Sequence, residues 1–525
     1  MFTFSKVRRL ALGLSVPVVL LGTAAVAVVG FRPSLPWASA QTPGSGCRFL
    51  SSPNATPAFC DTFDQPAGTG NRSGDLNGTV WGVSRIIAGG GDNYSSGTNP
   101  SQGQVDTFAP VGLDKCGTTT TVYPDRDVAI CNGQVVEGVN DDGGQTVLAM
   151  YPKQPFDIAG RTGTVVFDVS ADSQGPHAAW PSFAYTDQPV PAPYGLASGI
   201  ETSARNSIGF SLNNICGAGN WCGNHCPSSG GVTVGDFYKT VNSVRSDVNF
   251  TVTGCVQEPT SPTQLNHFEV KISSTGVQVY GTDPGGTNLV ELATASFNVP
   301  LTRGLLWMED THYNADKFNN QQSHTFGWDN FGFDGPVLPR DLAFDAPENK
   351  TLNVDSRWPG KPGMQLGWVT SASGTAVQVP GVYNVSQASA ALVTFNWMPT
   401  SQVVPSISVN GNPYISTPWP FTSTTYEWRT IAVPVPLSEI KAGSNTITFK
   451  EGNGDAIANV DLILVGAGGV PSGGTSPAAA PTSTSTSSST STAPAHISIN
   501  NAACTITQNG VQKSGTCSGT FTPNP

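Results

Sequence analysis

Short runs of alternating apolar and polar residues recur along the chain, and no long stretch outside the first thirty residues sustains a helical period. Thr164-Val165-Val166-Phe167-Asp168-Val169, His267-Phe268-Glu269-Val270-Lys271-Ile272 and Asn445-Thr446-Ile447-Thr448-Phe449-Lys450 alternate in this way. That is the period of a strand with one buried face. Leu392 to Trp397, Trp428 to Val433 and Ile457 to Val465 read as further strands. Turn residues separate the runs, with 59 Gly and 41 Pro in 525 residues. Asn410-Gly411, set between strand-like flanks, is the strongest hairpin signal. The pattern predicts an all-β protein of consecutive β-sandwiches.

Breaks in the pattern divide the chain. Residues 1–40 read as an export signal. Lys6, Arg8 and Arg9 precede an apolar run from Leu10 to Val29, and Ala38-Ser39-Ala40 supplies a cleavage site before Gln41. The alternative is a retained anchor, since roughly twenty apolar residues span a bilayer. No second stretch is apolar enough to insert in a membrane. A first folded unit is expected over 41–339 and a second over 340–466. Residues 467–495 are, apart from Val470, Gly, Ser, Thr, Ala and Pro without charge, the composition of a disordered linker. A small tail, 496–525, reads as a hairpin closed by Cys504 and Cys517.

Charge removes one class of partner. Cleavage takes away Lys6, Arg8, Arg9 and Arg32, so 25 basic residues fall to 21 against 36 acidic ones, a net charge of −15. Such a surface repels phosphate backbones, which excludes nucleic acid as the partner. Ten cysteines, an even number in an exported chain, predict disulfides. Cys47/Cys60, Cys116/Cys131 and Cys504/Cys517 are natural local pairs. Cys216, Cys222, Cys226 and Cys255 form a cluster around His225. Zinc is the alternative there, but the spacing matches no known finger, and an oxidising compartment favours disulfides.

Several segments of the first unit resemble the concanavalin-A-like lectin/glucanase jelly roll over roughly residues 59–336. Phe59 to Asp64 followed by Leu76-Asn77-Gly78-Thr79-Val80-Trp81 looks like its entry strand and L-x-G-x-x-W turn. Phe156 to Gly163, then Ala179-Trp180-Pro181-Ser182-Phe183, is similar to the glucanase segment ending in W-P-A-F-W. Asn266 to Val279 and Trp328 to Phe333 also fit. The second unit, through Gly443 to Phe449 and Ile457 to Ile463, resembles galactose-binding-like carbohydrate-binding modules.

The resemblance implies a retaining glucanase site with an E-x-D-x-x-E strand, whose alternation puts a nucleophile and an acid on one face. No such motif occurs in the chain; the corresponding stretch offers only Glu201. Glu309, beside Trp307 in Leu306-Trp307-Met308-Glu309-Asp310-Thr311-His312-Tyr313, is the other carboxylate candidate, because an acid near Trp has a raised pKa. The competing reading makes Glu309-Asp310 a strand end whose side chains point to opposite faces. His177 and His324 lack a nucleophile motif.

In the glucanase jelly roll, the last-strand Asp helps hold a structural Ca²⁺. The resemblance places that role on Asp329, with Asp61 near by if first and last strands pair; an ordinary turn-capping Asp is the alternative. Glycan binding needs aromatic platforms beside polar groups. Trp180, Tyr185, Trp307, Tyr313, Trp368 and Trp419 are the candidates, with Phe183 and Trp397 assigned to cores. The sequence therefore points to a secreted, extracellular or cell-surface protein that binds polysaccharide without the usual glucanase acid pair. A divergent glycoside hydrolase or polysaccharide lyase, and an adhesin or matrix protein, are the alternatives.

Overall fold

The computed structural model describes residues 46–64, 66, 75–88, 128–131, 133–137, 145–170, 179–190, 205–213, 226, 231–260, 264–313, 327–347, 367–398, 405–417, 429–450, 455–470, 497–508 and 511–521. Among them there is no α-helix, and no helix long and apolar enough to cross a membrane. The protein is nearly all β, as the alternation predicts.

A nine-stranded antiparallel sheet runs β12 (Phe250–Val252), β15 (Val290–Ser296), β14 (Gly276–Gly281), β13 (Asn266–Ser273), β7 (Gly163–Val169), β17 (Gly327–Phe333), β4 (Gln134–Glu137) and β3 (Val128–Cys131). Its ninth strand, β1 (Phe59–Asp61), pairs with β17. The facing sheet has eight strands. Seven run β11 (Val244–Asp247), β10 (Thr233–Val241), β9 (Asn206–Asn213), β8 (Ala179–Thr186), β16 (Arg303–Tyr313), β5 (Gln145–Pro152) and β2 (Trp81–Ala88), and β6 (Phe156–Asp157) pairs with β16. Alternation aims Phe167, Phe268, Trp328 and Phe331 inward from one sheet and Phe183, Phe210, Phe237 and Met308 from the other. Phe167 stacks on Phe183 with ring centres 5.8 Å apart, joining the two layers at mid-core.

The second half of the chain repeats the layering with smaller sheets. One has β18 (Leu342–Asp345), β26 (Ala456–Val465), β21 (Ala390–Met398) and β24 (Arg429–Val435), with β19 (Trp368–Val369) on β26. The other runs β20 (Thr375–Val382), β25 (Gly443–Lys450), β22 (Ser406–Val409) and β23 (Ile415–Ser416). Val393, Phe395 and Trp397 meet Ile407, Val409 and Phe449 between them. Buried Trp397 donates its indole N–H to Asp455 at 3.1 Å. The Asn410-Gly411 turn forms with both residues at positive φ, 53° and 79°, although five residues separate the two strands. In the tail, β27 (Ile497–Gln508) and β28 (Val511–Phe521) make the expected hairpin.

Two disulfides lie among the described residues, Cys47–Cys60 and Cys226–Cys255. The first is the local pair expected from sequence. The second resolves part of the four-cysteine cluster, whose Cys216, Cys222 and His225 lie outside the described residues. So do Cys116 and the side chains of Cys131, Cys504 and Cys517.

Candidate functional site

The outer face of the eight-stranded sheet carries a row of buried polar side chains. Strand alternation that sends Val83, Met150, Met308, Phe183 and Phe210 inward sends Ser84, Ala149, Glu309, Ser182 and Ser211 outward. Register aligns these five into one row across β2, β5, β16, β8 and β9, continued on β10 by Asp236. Glu309 is fully buried at the centre of the row. Burial first, and then Asp247, pushes the Asp236 carboxyl up to about 6.

The adjacent row is aromatic. It runs Gly82 and Tyr151, then Trp307, Ala184, Gly209 and Tyr238. Tyr151 and Trp307 have ring centres 4.2 Å apart, and the Trp307 indole donates to Thr186 Oγ1 at 3.0 Å. Each tyrosine lies flat across a glycine: a Cβ on Gly82 would run into the Tyr151 ring, and one on Gly209 into Tyr238. Arg245 covers Tyr238 from another side, its guanidinium carbon 4.3 Å from the ring centre. The hydroxyls of Ser182, Ser207 and Ser211 are buried on this face and have no hydrogen-bond partner. Ser182 and Ser211 are cross-strand partners, and Ser207 lies four residues along β9 on the same face.

Sequence candidates fall on both sides of this sheet. Trp307 and Glu309 share the outer face. Glu309-Asp310 is not a strand end, because β16 continues to Tyr313; Asp310 does point to the opposite face. Tyr185 is a core residue rather than a platform. One position from Ala184, it faces inward, is fully buried and donates its hydroxyl to the Phe156 carbonyl at 3.2 Å. The backbones of Trp180 and Tyr313 pair with Thr311 and Gln145. Half-buried Trp368 packs against the second core. Glu201 and Trp419 lie outside the described residues. Tyr151, Tyr238, Ser182, Ser207 and Ser211 escaped sequence reasoning, since their convergence depends on strand register.

A second polar cluster occupies the outer face of the nine-stranded sheet. His267, Asp168 and Asp329 form a row across β13, β7 and β17. His267 Nδ1 is 2.6 Å from Asp168 Oδ1, and Glu269 Oε1 is 3.8 Å from Nε2. Desolvation disfavours a charged imidazole, but the Asp168 hydrogen bond and the Glu269 carboxylate outweigh it and raise His267 to about 9. Asp329 is pushed up to about 8, by burial and by the like charges of Asp168, Asp64 and Asp61. Asp61 reaches this cluster because β1 pairs with β17.

The cluster does not fit a calcium cage. Asp61 accepts from Phe63 N and Trp81 Nε1, and Asp168 binds His267 and accepts from Asn330 Nδ2. Asp329 Oδ1 accepts from Asn330 N. These bonds engage both oxygens of Asp61 and of Asp168 and one oxygen of Asp329. Among the described residues, no group of three or more His, Cys, Asp or Glu is arranged to hold a metal.

No protein-family model matches the chain, and no curated protein matches it in sequence. Among solved structures, it is similar to an immunostimulatory antigen and pseudo β-1,3-glucanase of Mycobacterium tuberculosis. Identity is 13%, covering 54% of this chain and 99% of that one, with a TM-score of 0.30. LamAcat from Zobellia galactanivorans is 12% identical, covering 55% and 100% with a TM-score of 0.31. A carbohydrate-binding module from Bacillus subtilis is 12% identical, covering 38% and 86% with a TM-score of 0.22.

Proposed function

We propose that the protein is a secreted carbohydrate-binding protein whose site is the outer face of the eight-stranded sheet. One observation carries the reading: unpartnered hydroxyls of Ser182, Ser207 and Ser211 lie on the same face as Glu309 and the Tyr151–Trp307 pair. A sugar has matching chemistry, with hydroxyls that donate and accept and C–H faces that pack on rings. Export rests on the sequence of residues 1–40 and is supported by the two disulfides.

Hydrolysis finds less support. Inverting enzymes hold two carboxyls about 6.5–9.5 Å apart, and retaining ones hold them closer. Asp236 shares the row of Glu309 but stands three strand spacings away, about 14 Å. Asp310 is on the other face.

Ser182→Ala and Ser211→Ala test the binding reading. Their hydroxyls have no partner to lose, so Tm is expected to hold or rise while affinity for a soluble polysaccharide panel falls. Unchanged affinity by calorimetry for every glycan that the wild type binds would move the site off this face. Calcium at Asp329 is tested separately by Tm with Ca²⁺ against chelator. Equal values in the wild type and in Asp329→Asn remove it.

A further inference from the structure

The binding face is shut. Trp307 and Glu309 have no exposed surface, and Ser182 and Ser211 retain 1% each. Part of what shuts it is the second sandwich. On β24, Ile431 and Val433 point into their own core, so Thr430 and Ala432 point out of it. Ser84 Oγ donates to Thr430 Oγ1 at 3.4 Å, because the single Thr430 hydroxyl proton goes to Asn396 Oδ1. Ala432 packs against Val190, and both are buried. Thr430 and Ala432 are about 7 Å apart along the strand. That short piece of β24 therefore touches both β2, through Ser84, and the segment just beyond β8, through Val190. The strands between β2 and β8 are β5 and β16, which carry Tyr151 and Trp307.

The closing contact is poorly satisfied. Among the described residues it is made by small hydroxyl and aliphatic groups. Beside Thr430, the fully buried Asn396 accepts at Oδ1 from Thr430 Oγ1 while its Nδ2 has no acceptor. Unpaired polar atoms raise the free energy of the closed form, and they regain partners in water or on a ligand. Polar contacts between domains of one chain permit relative motion.

We propose that the second sandwich is a displaceable cover on the carbohydrate-binding face of the first, and that polysaccharide binding requires β24 to lift from Ser84 and Val190. The inference rests on the binding reading above and adds its regulation. A polyhydroxylated chain supplies the donors and acceptors that the cover leaves unmet, so ligand and open form stabilise each other.

Two full-length variants test it in opposite directions, with soluble β-1,3-glucan, mixed-linkage β-glucan, xylan and galactan as probes. Ala432→Arg puts a bulky charge into the contact without touching either core. It is expected to raise hydroxyl-radical labelling of Tyr151 and Trp307 and to tighten binding about tenfold, as when an open fraction of about a tenth becomes dominant. Val190→Cys with Ala432→Cys, once oxidised, is expected to lose glycan binding, which reduction to its unlinked form restores. Labelling of Ala432→Arg equal to wild type overturns the cover. So does a cross-linked form that binds as well as the unlinked one, or an Ala432→Arg form that binds no more tightly. Raised labelling with no glycan bound by any form, wild type included, keeps the steric cover but overturns the binding reading and the linkage built on it.

Discussion

Gly209 and Gly82 are small because tyrosine rings lie on them. Gly209→Ala is expected to force Tyr238 from its place under Arg245 and to cost about 1–3 kcal/mol, the usual range for overpacking. Chemical denaturation measures it. The same change is expected to weaken glycan binding by disturbing the face, whereas Gly285→Ala, where no atom lies near the added carbon but φ is +69°, should affect stability alone. Sequence reading picked out Trp307 and Glu309 because an acid beside aromatics is visible in one line of text. It could not pick out Tyr151 or Ser211, which meet that pair only through cross-strand register. Tyr185 shows the same limit, since a shift of one residue along a strand exchanges the faces.

At the scale of elements, the buried row across β13, β7 and β17 links stability to pH. His267 titrates near 6.5 when unfolded and near 9 when folded. Its contribution is therefore fully present below about 6.5 and disappears as pH rises through about 9. Denaturation midpoints at pH 6 and pH 9.5 are expected to differ, with the alkaline value lower, and His267→Gln is expected to shrink the difference to the share that ionisation of Asp329 contributes. The segment over this row depends on its own staple. Ser51 N donates to Glu269 at 3.0 Å, while Cys47 and Phe49 pack on Val166. Replacing Cys47 and Cys60 together by Ser removes a bridge spanning 13 residues, a loss of about 3 kcal/mol by chain entropy. Hydrogen exchange in β13 and β7 would report the uncovering. Strand positions were legible because each has one apolar face; their partners were not, because pairing joins residues as far apart as Cys60 and Gly332.

For the whole molecule, the all-β character was legible from alternation and turn density, and the contact of β24 with Ser84 and Val190 was not. Thr430 and Ala432 look like the solvent side of an ordinary strand, and only the folded chain sets them on Ser84 and Val190. The uncharged stretch 467–495 offers a separate check on the proposed boundaries. Limited proteolysis should cut there first and release the tail from an otherwise intact protein, as mass spectrometry would show.

The Ser84–Thr430 contact also bears on the free end of the eight-stranded sheet. Among the described residues β2 ends its sheet, and the open side of a terminal strand invites pairing with a neighbour's strand. β24 stands over the face of β2 at Ser84 rather than pairing with its edge, and its bulk hinders a neighbour's approach there. A chain ended after Pro339 would present β2 uncovered, and light scattering on it should show self-association that the full-length protein lacks.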